Sequence, residues 1–344
     1  MTEAGHLVWR RGRWSLRLRR RGVAALLGLA LALGALALAS LCLGEPTLGP
    51  GAALRALLGP GDAAFAVGTL RAPRLLTGLC AGACLGLSGA MMQSLARNPL
   101  ASPDLLGFTQ GAGLGAVATI ARTGAQGVGV AAAALGGGLA AAVLVGALAW
   151  KGGLRVWRLV LVGIGVGFAL RAGTDVLMTR TDLFSASAAT QWLTGSLNAR
   201  LWSHAAQAGV GLAVLGPLGL ALGRGLDRLE MGEDVATALG VRTGLVRLAT
   251  VAVAVGLAAV AVAACGPVAF VALVAGPIGR RLSGGGGPAL GPAALTGALL
   301  LCAADLAGRV LLAPMQLPAG LFTALIGAPY LLWLLATQIR KGAL

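Results

Sequence analysis

Charge is what this sequence lacks first: Asp, Glu, Lys and Arg together make up 11% of 344 residues, where a soluble domain carries roughly 25%. That shortage argues against a fold solvated on all sides. Histidine is reduced to His6 and His204, and the five cysteines, Cys42, Cys80, Cys84, Cys265 and Cys302, all fall inside apolar runs without metal-ligand spacing. Neither a disulfide framework nor a bound metal is expected. Lysine occurs only as Lys151 and Lys341, and neither stands in the G-x-x-x-x-G-K-[ST] setting that cradles nucleotide phosphates. The run Gly284-Gly285-Gly286-Gly287 has no Lys-Ser/Thr after it but Pro288, so it reads as a connector. With no Ser/His/Asp set and no paired carboxylates, the chain offers no catalytic constellation and no cofactor motif. An enzyme, and ATP hydrolysis by this chain, are not expected.

Apolar residues, by contrast, make up 57% of the chain and the mean hydropathy is +0.86. A bilayer core about 30 Å thick takes roughly 20 apolar residues in helix, and about ten predominantly apolar stretches fit that length: 22–44, 75–96, 105–121, 127–149, 156–178, 205–223, 244–265, 268–282, 291–312 and 319–338. None shows the period-2 alternation of a membrane barrel. The uncharged run 248–279 is too long for one span and is divided at Gly266-Pro267. The first stretch, 23 residues long, exceeds the apolar run of a cleavable signal and is expected to remain as a helix. The expected fold is therefore an all-α polytopic membrane protein of about ten transmembrane helices: a basic arm over 1–21 and one membrane domain over 22–340.

The formal charge of +16 would suggest nucleic acid in a soluble protein; in a membrane protein its location decides. With the N-terminus inside, 19 basic residues fall on the cytoplasmic side, in the arm, at Arg97, at 151–158, 224–247, 280–281 and 340–341. Six fall outside: Arg55, Arg71, Arg74, Arg122, Arg180 and Arg200. Both termini are accordingly predicted cytoplasmic, with the arm facing membrane lipid as a topology signal rather than binding nucleic acid.

Several spans are interrupted. Pro73, Pro99, Pro103, Pro267, Pro277, Pro314, Pro318 and Pro329 punctuate their ends, and broken backbone in a membrane is tolerated where it is buried in protein or lines a cavity. Gly82, Ala83, Gly86, Ser88 and Gly89 crowd one segment, as close helix contact requires. Gln93, Asn98, Thr109, Gln110 and Asn198 supply neutral hydrogen-bonding groups for a path or for broken backbone; Asn98 before Pro99 suits a turn. Arg171 with Asp175, and Asp305 with Arg309, stand four apart, so each pair can neutralise itself on one helix face. A proton relay through these acids is the other reading, and it would suit an ion-coupled secondary transporter.

The segment RAPRLLTGLCAGACLGLSGAMMQSLARNPLASPDLLGFTQGAGLGAV at 71–117 closely resembles the FecCD permeases of binding-protein-dependent ABC importers, which carry iron-siderophores, haem and vitamin B12. The resemblance continues in WLTGSL (192–197), MGEDVATALGV (231–241), GPVAFVALV (266–274), RRL (280–282), ADLAGR (304–309) and LPAGLFTALIGAPYLLWLL (317–335). It implies a ten-helix fold with helices 2–5 and 7–10 as inverted halves, in a bacterial inner or plasma membrane. It also implies a separate ABC ATPase, a substrate-binding (lipo)protein and a second permease subunit. The loop 224–247 would be the ATPase coupling element, with contacts at Gly232, Glu233, Ala236, Leu239 and Gly240. Arg71 and Arg74 of R-x-P-R and Arg309 of D-x-x-x-R would meet acidic residues of the binding protein. Gln93, Asn98, Pro99, Gln110 and Asn198 are the candidate pathway or gate residues. Where many members read Pro-His before Ile-x-Arg, this chain has Gly276 and Pro277; that departure looks more like a ferric-enterobactin-type subunit than a vitamin B12 permease and favours a heterodimer over a homodimer.

Overall fold

The computed structural model describes all residues except 1–5, 12–13, 60–62, 125–126, 154, 312–314 and 341–344. Pro314 and Lys341 therefore lie outside the described residues. The basic arm forms a hairpin in which β1 (His6–Arg11) pairs antiparallel with β2 (Trp14–Arg19). The rest is helical: α1 (Arg20–Cys42), α2 (Pro50–Leu58), a π-helical turn (Phe65–Arg71) running directly into α3 (Ala72–Ala96), a 3-10 turn (Pro103–Leu106), α4 (Phe108–Thr123), α5 (Val128–Ala149), α6 (Val156–Thr179) and α7 (Leu183–Leu193). Then come α8 (Trp202–Glu230), α9 (Glu233–Ala238), α10 (Thr243–Cys265), α11 (Val271–Ser283), α12 (Leu290–Val310) and α13 (Ala319–Arg340).

Each of the ten expected spans has its helix, and eight of these are long and apolar enough to cross a membrane among the described residues. The other two are α4, of 16 residues, and α11, of 13. At 1.5 Å per residue they rise roughly 24 and 20 Å, less than a bilayer core of about 30 Å. Both are entered through a left-handed residue: Gly107 (φ 70°), which ends a 3-10 turn before α4, and Phe270 (φ 67°), which ends non-helical chain before α11. They hold equivalent places in the two four-helix sets: α3 packs on α11 and α12, while α10 packs on α4 and α5. A pair of short, interrupted helices at matching places in two halves is where membrane transporters build their pathway.

Hydropathy gave the wrong edges in three places. The second span starts some ten residues earlier, at Phe65, because its first two turns are wound as π-helix continuous with α3. Half of the coupling stretch 224–247 is helix end: α8 runs on to Glu230 and α10 begins at Thr243, leaving α9 and its two turns between them. A helix absent from the hydropathy pattern, α7, is started by Asp182, whose carboxylate accepts from the Phe184 and Ser185 N–H groups at 3.1 and 3.0 Å. Two prolines expected at span ends, Pro277 and Pro329, lie inside α11 and α13.

At the centre stands α3, most of whose residues are buried. Lipid tails are as apolar as leucine, so helices in a bilayer are held by close backbone contact and polar links. A Cβ added to Gly82, Gly86 or Gly89 would run into the backbone of Gly297, Ala293 and Ala272 respectively, so α12 and α11 lie directly on the glycine face of α3. Gly111 and Gly115 of α4 meet Gly137 and Ala133 of α5 in the same way. Outward, large apolar side chains such as Leu31 and Val143 are more than two-thirds exposed, as suits a surface solvated by lipid.

Gly89→Val should therefore cost at least ~1–3 kcal/mol through overpacking, read as loss of the monodisperse peak after heating in detergent. Gly136→Ala in α5, where an added Cβ meets nothing within 4 Å, should leave the transition unchanged or raise it.

Candidate functional site

Polar groups gather at three places. At the end of the bundle where α1 stops and α3 starts, Arg74 makes a two-pronged contact with Asp305 of α12: Nε donates to Oδ2 at 2.9 Å and Nη2 to Oδ1 at 2.8 Å. Its Nη1 donates to Gln316 Oε1 at 2.9 Å and to Asn198 Oδ1 at 3.4 Å. Arg309 Nη2 donates to the Ser40 hydroxyl (2.8 Å) and carbonyl (3.0 Å), with its Nε 4.0 Å from Asp305. Arg71 turns back on the chain and donates to the carbonyls of Leu41 (2.8 Å), Cys42 (3.3 Å) and Pro46 (2.6 Å). All three expected docking arginines are thus committed to contacts within the chain, and Arg71 and Arg74 are buried. The expected i,i+4 pair Asp305–Arg309 is present at 4.0 Å, but Asp305 is held more closely by Arg74, 231 residues away. Asn198 joins this cluster through Arg74.

The second place is the middle of the bundle's flank. Arg171 Nε donates to Asp175 Oδ1 at 3.1 Å, one turn along α6, as the spacing predicts, yet the two side chains are 67% and 61% exposed. Arg171 lines a cleft of about 310 Å³ whose walls include Asp104, Thr109, Gln110 and the non-helical stretch Pro267-Val268-Ala269. Thr109 donates to the Asp104 carboxylate, and Gln110 Oε1 is buried without a hydrogen-bond partner among the described residues. The cleft therefore joins the entrances of both short helices to the charged face of α6.

The third place is the far end of α3. A proline inside a helix removes the N–H that would bond four residues back, so Pro277 leaves the Leu273 carbonyl open. Gln93, fully buried, fills the gap: its Nε2 donates to Leu273 O and to Pro99 O, both at 2.8 Å. The space it occupies exists because residue 276 is glycine, where a Cβ would overlap Gln93 Oε1. Gln93, Pro99 and the Gly276-Pro277 departure form one interlock. Asn98 closes an Asx turn, its Oδ1 accepting from Leu100 N at 2.9 Å. Arg280 completes this end, donating to Ser94 Oγ at 2.8 Å and lying 3.5 Å from Glu230.

The model of the FecCD transport family matches residues 32–337. The chain belongs to the FecCD transport family. It is 40% identical over 300 residues to the ferric enterobactin transport system permease protein FepG of Escherichia coli, covering 87% of this chain and 91% of that one. Against the achromobactin transport system permease protein CbrC of Dickeya dadantii it is 38% identical, covering 96% and 97%. A solved structure titled as an inward-facing, metal-chelate type ABC transporter superposes with a TM-score of 0.81 at 28% identity, covering 93% of this chain and 99% of that one.

In this FecCD chain the short helix α9 is hung between two left-handed turns, Gly232 (φ 119°) and Gly240 (φ 76°). Arg247 Nη2 holds Glu233 Oε2 at 2.8 Å, and that bond, ahead of any other influence, keeps the Glu233 carboxyl below its usual range. Ala236 is fully buried beneath α9 and cannot itself touch a partner, whereas Leu239 and Val235 are 54% and 46% exposed. Of the five expected coupling residues, only Leu239 offers a large outward apolar surface, and Val235, not among them, shares that outward face; a six-residue helix has too little periodicity to show which face points out.

Gln93→Leu should destabilise the protein by about 1–3 kcal/mol, since it strands two buried carbonyls. In a Pro277→Ala background, where residue 277 can again donate to Leu273, the cost should fall by at least ~0.5 kcal/mol, as a double-mutant cycle of thermal or SDS unfolding measures.

Proposed function

We propose that this chain is a membrane permease subunit of a binding-protein-dependent ABC importer for ferric-siderophore complexes. In this reading it lies in the bacterial cell membrane with both termini and α9 in the cytoplasm. It works with a separate ATPase, a substrate-binding protein and a related, non-identical permease subunit. The observation that carries the reading is the exposed Arg171–Asp175 pair on a membrane-spanning helix. Ionised side chains in a span face a bundle interior or water, and within this chain the pair faces neither. A second permease subunit set against α6 would enclose it in a polar path, with Gln110 and the entrances of α4 and α11 on its wall.

Family membership supports the importer class, and the named siderophore relatives support an iron chelate as cargo. The distribution of basic residues supports the orientation. Self-neutralisation of Arg171 by Asp175 at 3.1 Å weighs against a free proton carrier and hence against ion-coupled transport by this chain alone. The interlock of Gly276, Pro277 and Gln93 gives the departure from Pro-His a structural role in this subunit, in keeping with a partner of different sequence. Val235 and Leu239 present α9 to the ATPase; Arg71, Arg74 and Arg309 shape the opposite rim for the binding protein by holding α1, α3 and α12 together, without reaching it themselves.

Proteoliposomes holding this chain, its paralogue and the ATPase should take up ferric siderophore only with ATP and binding protein present. Leu239→Arg should leave assembly of the membrane subunits intact but reduce uptake at least tenfold, about 1.4 kcal/mol of lost coupling. Uptake driven by an ion gradient without ATPase would contradict the proposal, and so would full transport by a homodimer of this chain for the paired-subunit part.

A further inference from the structure

At the end of the bundle that carries α9, the ends of α3 and α8 and the starts of α6 and α10 enclose a cavity of about 610 Å³. Its wall holds Arg97, Arg155 and Arg247, against Glu233 as the sole acid among the described lining residues. Arg247 is paired with Glu233. The guanidinium groups of Arg97 and Arg155 make no hydrogen bond or ion pair among the described residues and act on Glu233 only through space. The cavity thus keeps two positive charges in excess. The first turns of α6 and α10, at Val156 and Thr243, also face it and add the positive ends of two long helices, of 24 and 23 residues.

Tryptophans flank the cavity. Trp157, on the cavity wall, is 61% exposed with Arg158 stacked 5.4 Å from its ring, and Trp150 at the end of α5 is 56% exposed. Tryptophans so placed mark the boundary between hydrocarbon and water, and basic pockets between transmembrane helices at that level take acidic lipid headgroups. We propose that this cavity binds the phosphate of an anionic phospholipid headgroup, of the phosphatidylglycerol class, on Arg97, Arg155 and Arg247. Because Arg247 also holds Glu233, an occupied cavity and the seat of α9 share one side chain. The bound lipid would thereby steady the helix that the ATPase reading assigns to coupling.

The test is native mass spectrometry of the full chain released from nanodiscs of mixed phosphatidylcholine and phosphatidylglycerol. The wild-type chain should retain phosphatidylglycerol in preference to phosphatidylcholine. Arg97→Gln with Arg155→Gln should cut that preference roughly thirtyfold, the effect of two basic groups at an anionic surface. Arg97→Lys with Arg155→Lys should keep most of it, which separates charge from misfolding. Arg224→Gln with Arg228→Gln, removing the same charge outside this cavity, should leave it intact. Equal loss in that control, or displacement of the lipid by inorganic phosphate, would overturn the proposal. So would a double Gln variant that keeps its lipid ratio while losing co-purifying ATPase, which would give the cavity to the protein partner. Lipid retention is read on the chain alone, so its failure leaves the transport reading standing.

Discussion

A helix surrounded by hydrocarbon gains nothing from being apolar, so the position of α3 depends on how near its backbone can come to its neighbours. Gly82, Gly86 and Gly89 set that distance, letting α12 and α11 lie against α3 with no Cβ between them. The consequences run along the helix in both directions. One end brings Arg74 onto Asp305 of α12; the other brings Gln93 under α11, where it supplies the hydrogen bond that Pro277 withholds. Replacing the glycine face would move both polar clusters, since each links α3 to a helix held by that face.

Several of the charges and open carbonyls inside the bundle find partners across elements. The Arg74–Asp305 pair joins α3 to α12, Arg309 ties α12 to α1, and Arg71 closes the turn after α1. Removing one partner of a buried pair of this kind costs about 3–5 kcal/mol, which makes these arginines structural whatever docks above them. Against that background Arg171 and Asp175 stand out. They satisfy each other and nothing else among the described residues, on an outward face of α6, where Arg171 lines the cleft that joins both interrupted helices. A chain that neutralises its other intramembrane charges inside has a use for this pair outside.

Much of this was legible from the residues. Ten predominantly apolar stretches gave ten helices because burying backbone in lipid leaves helix as the choice, and length alone then reports a span. The i,i+4 pair Arg171–Asp175 and the Asn98-Pro99 turn were legible for the same reason: their partners are local. What stayed hidden was long-range or short. Nothing in the spacing of Asp305 and Arg309 says that Arg74 will take the carboxylate instead. The role of Gln93 depends on Leu273, Gly276 and Pro277 arriving beside it, with Leu273 180 residues away. In α9 the inward turn of Ala236 rests on how α8 and α10 frame it, and α7 is too short and too polar to register as a span.

The central claim is that the outer face of α6 borders water between two subunits and not lipid. It is tested most directly by the reactivity of Phe168→Cys, one turn from Arg171, toward a charged, membrane-impermeant thiol reagent in the assembled transporter. Leu31→Cys on the outer face of α1, equally exposed in the single chain, serves as the lipid-facing reference. The account predicts that Phe168→Cys reacts well above the background of the native thiols, and more slowly when ferric siderophore and binding protein are present. A Phe168→Cys as inert as Leu31→Cys in every state of the transport cycle would contradict it.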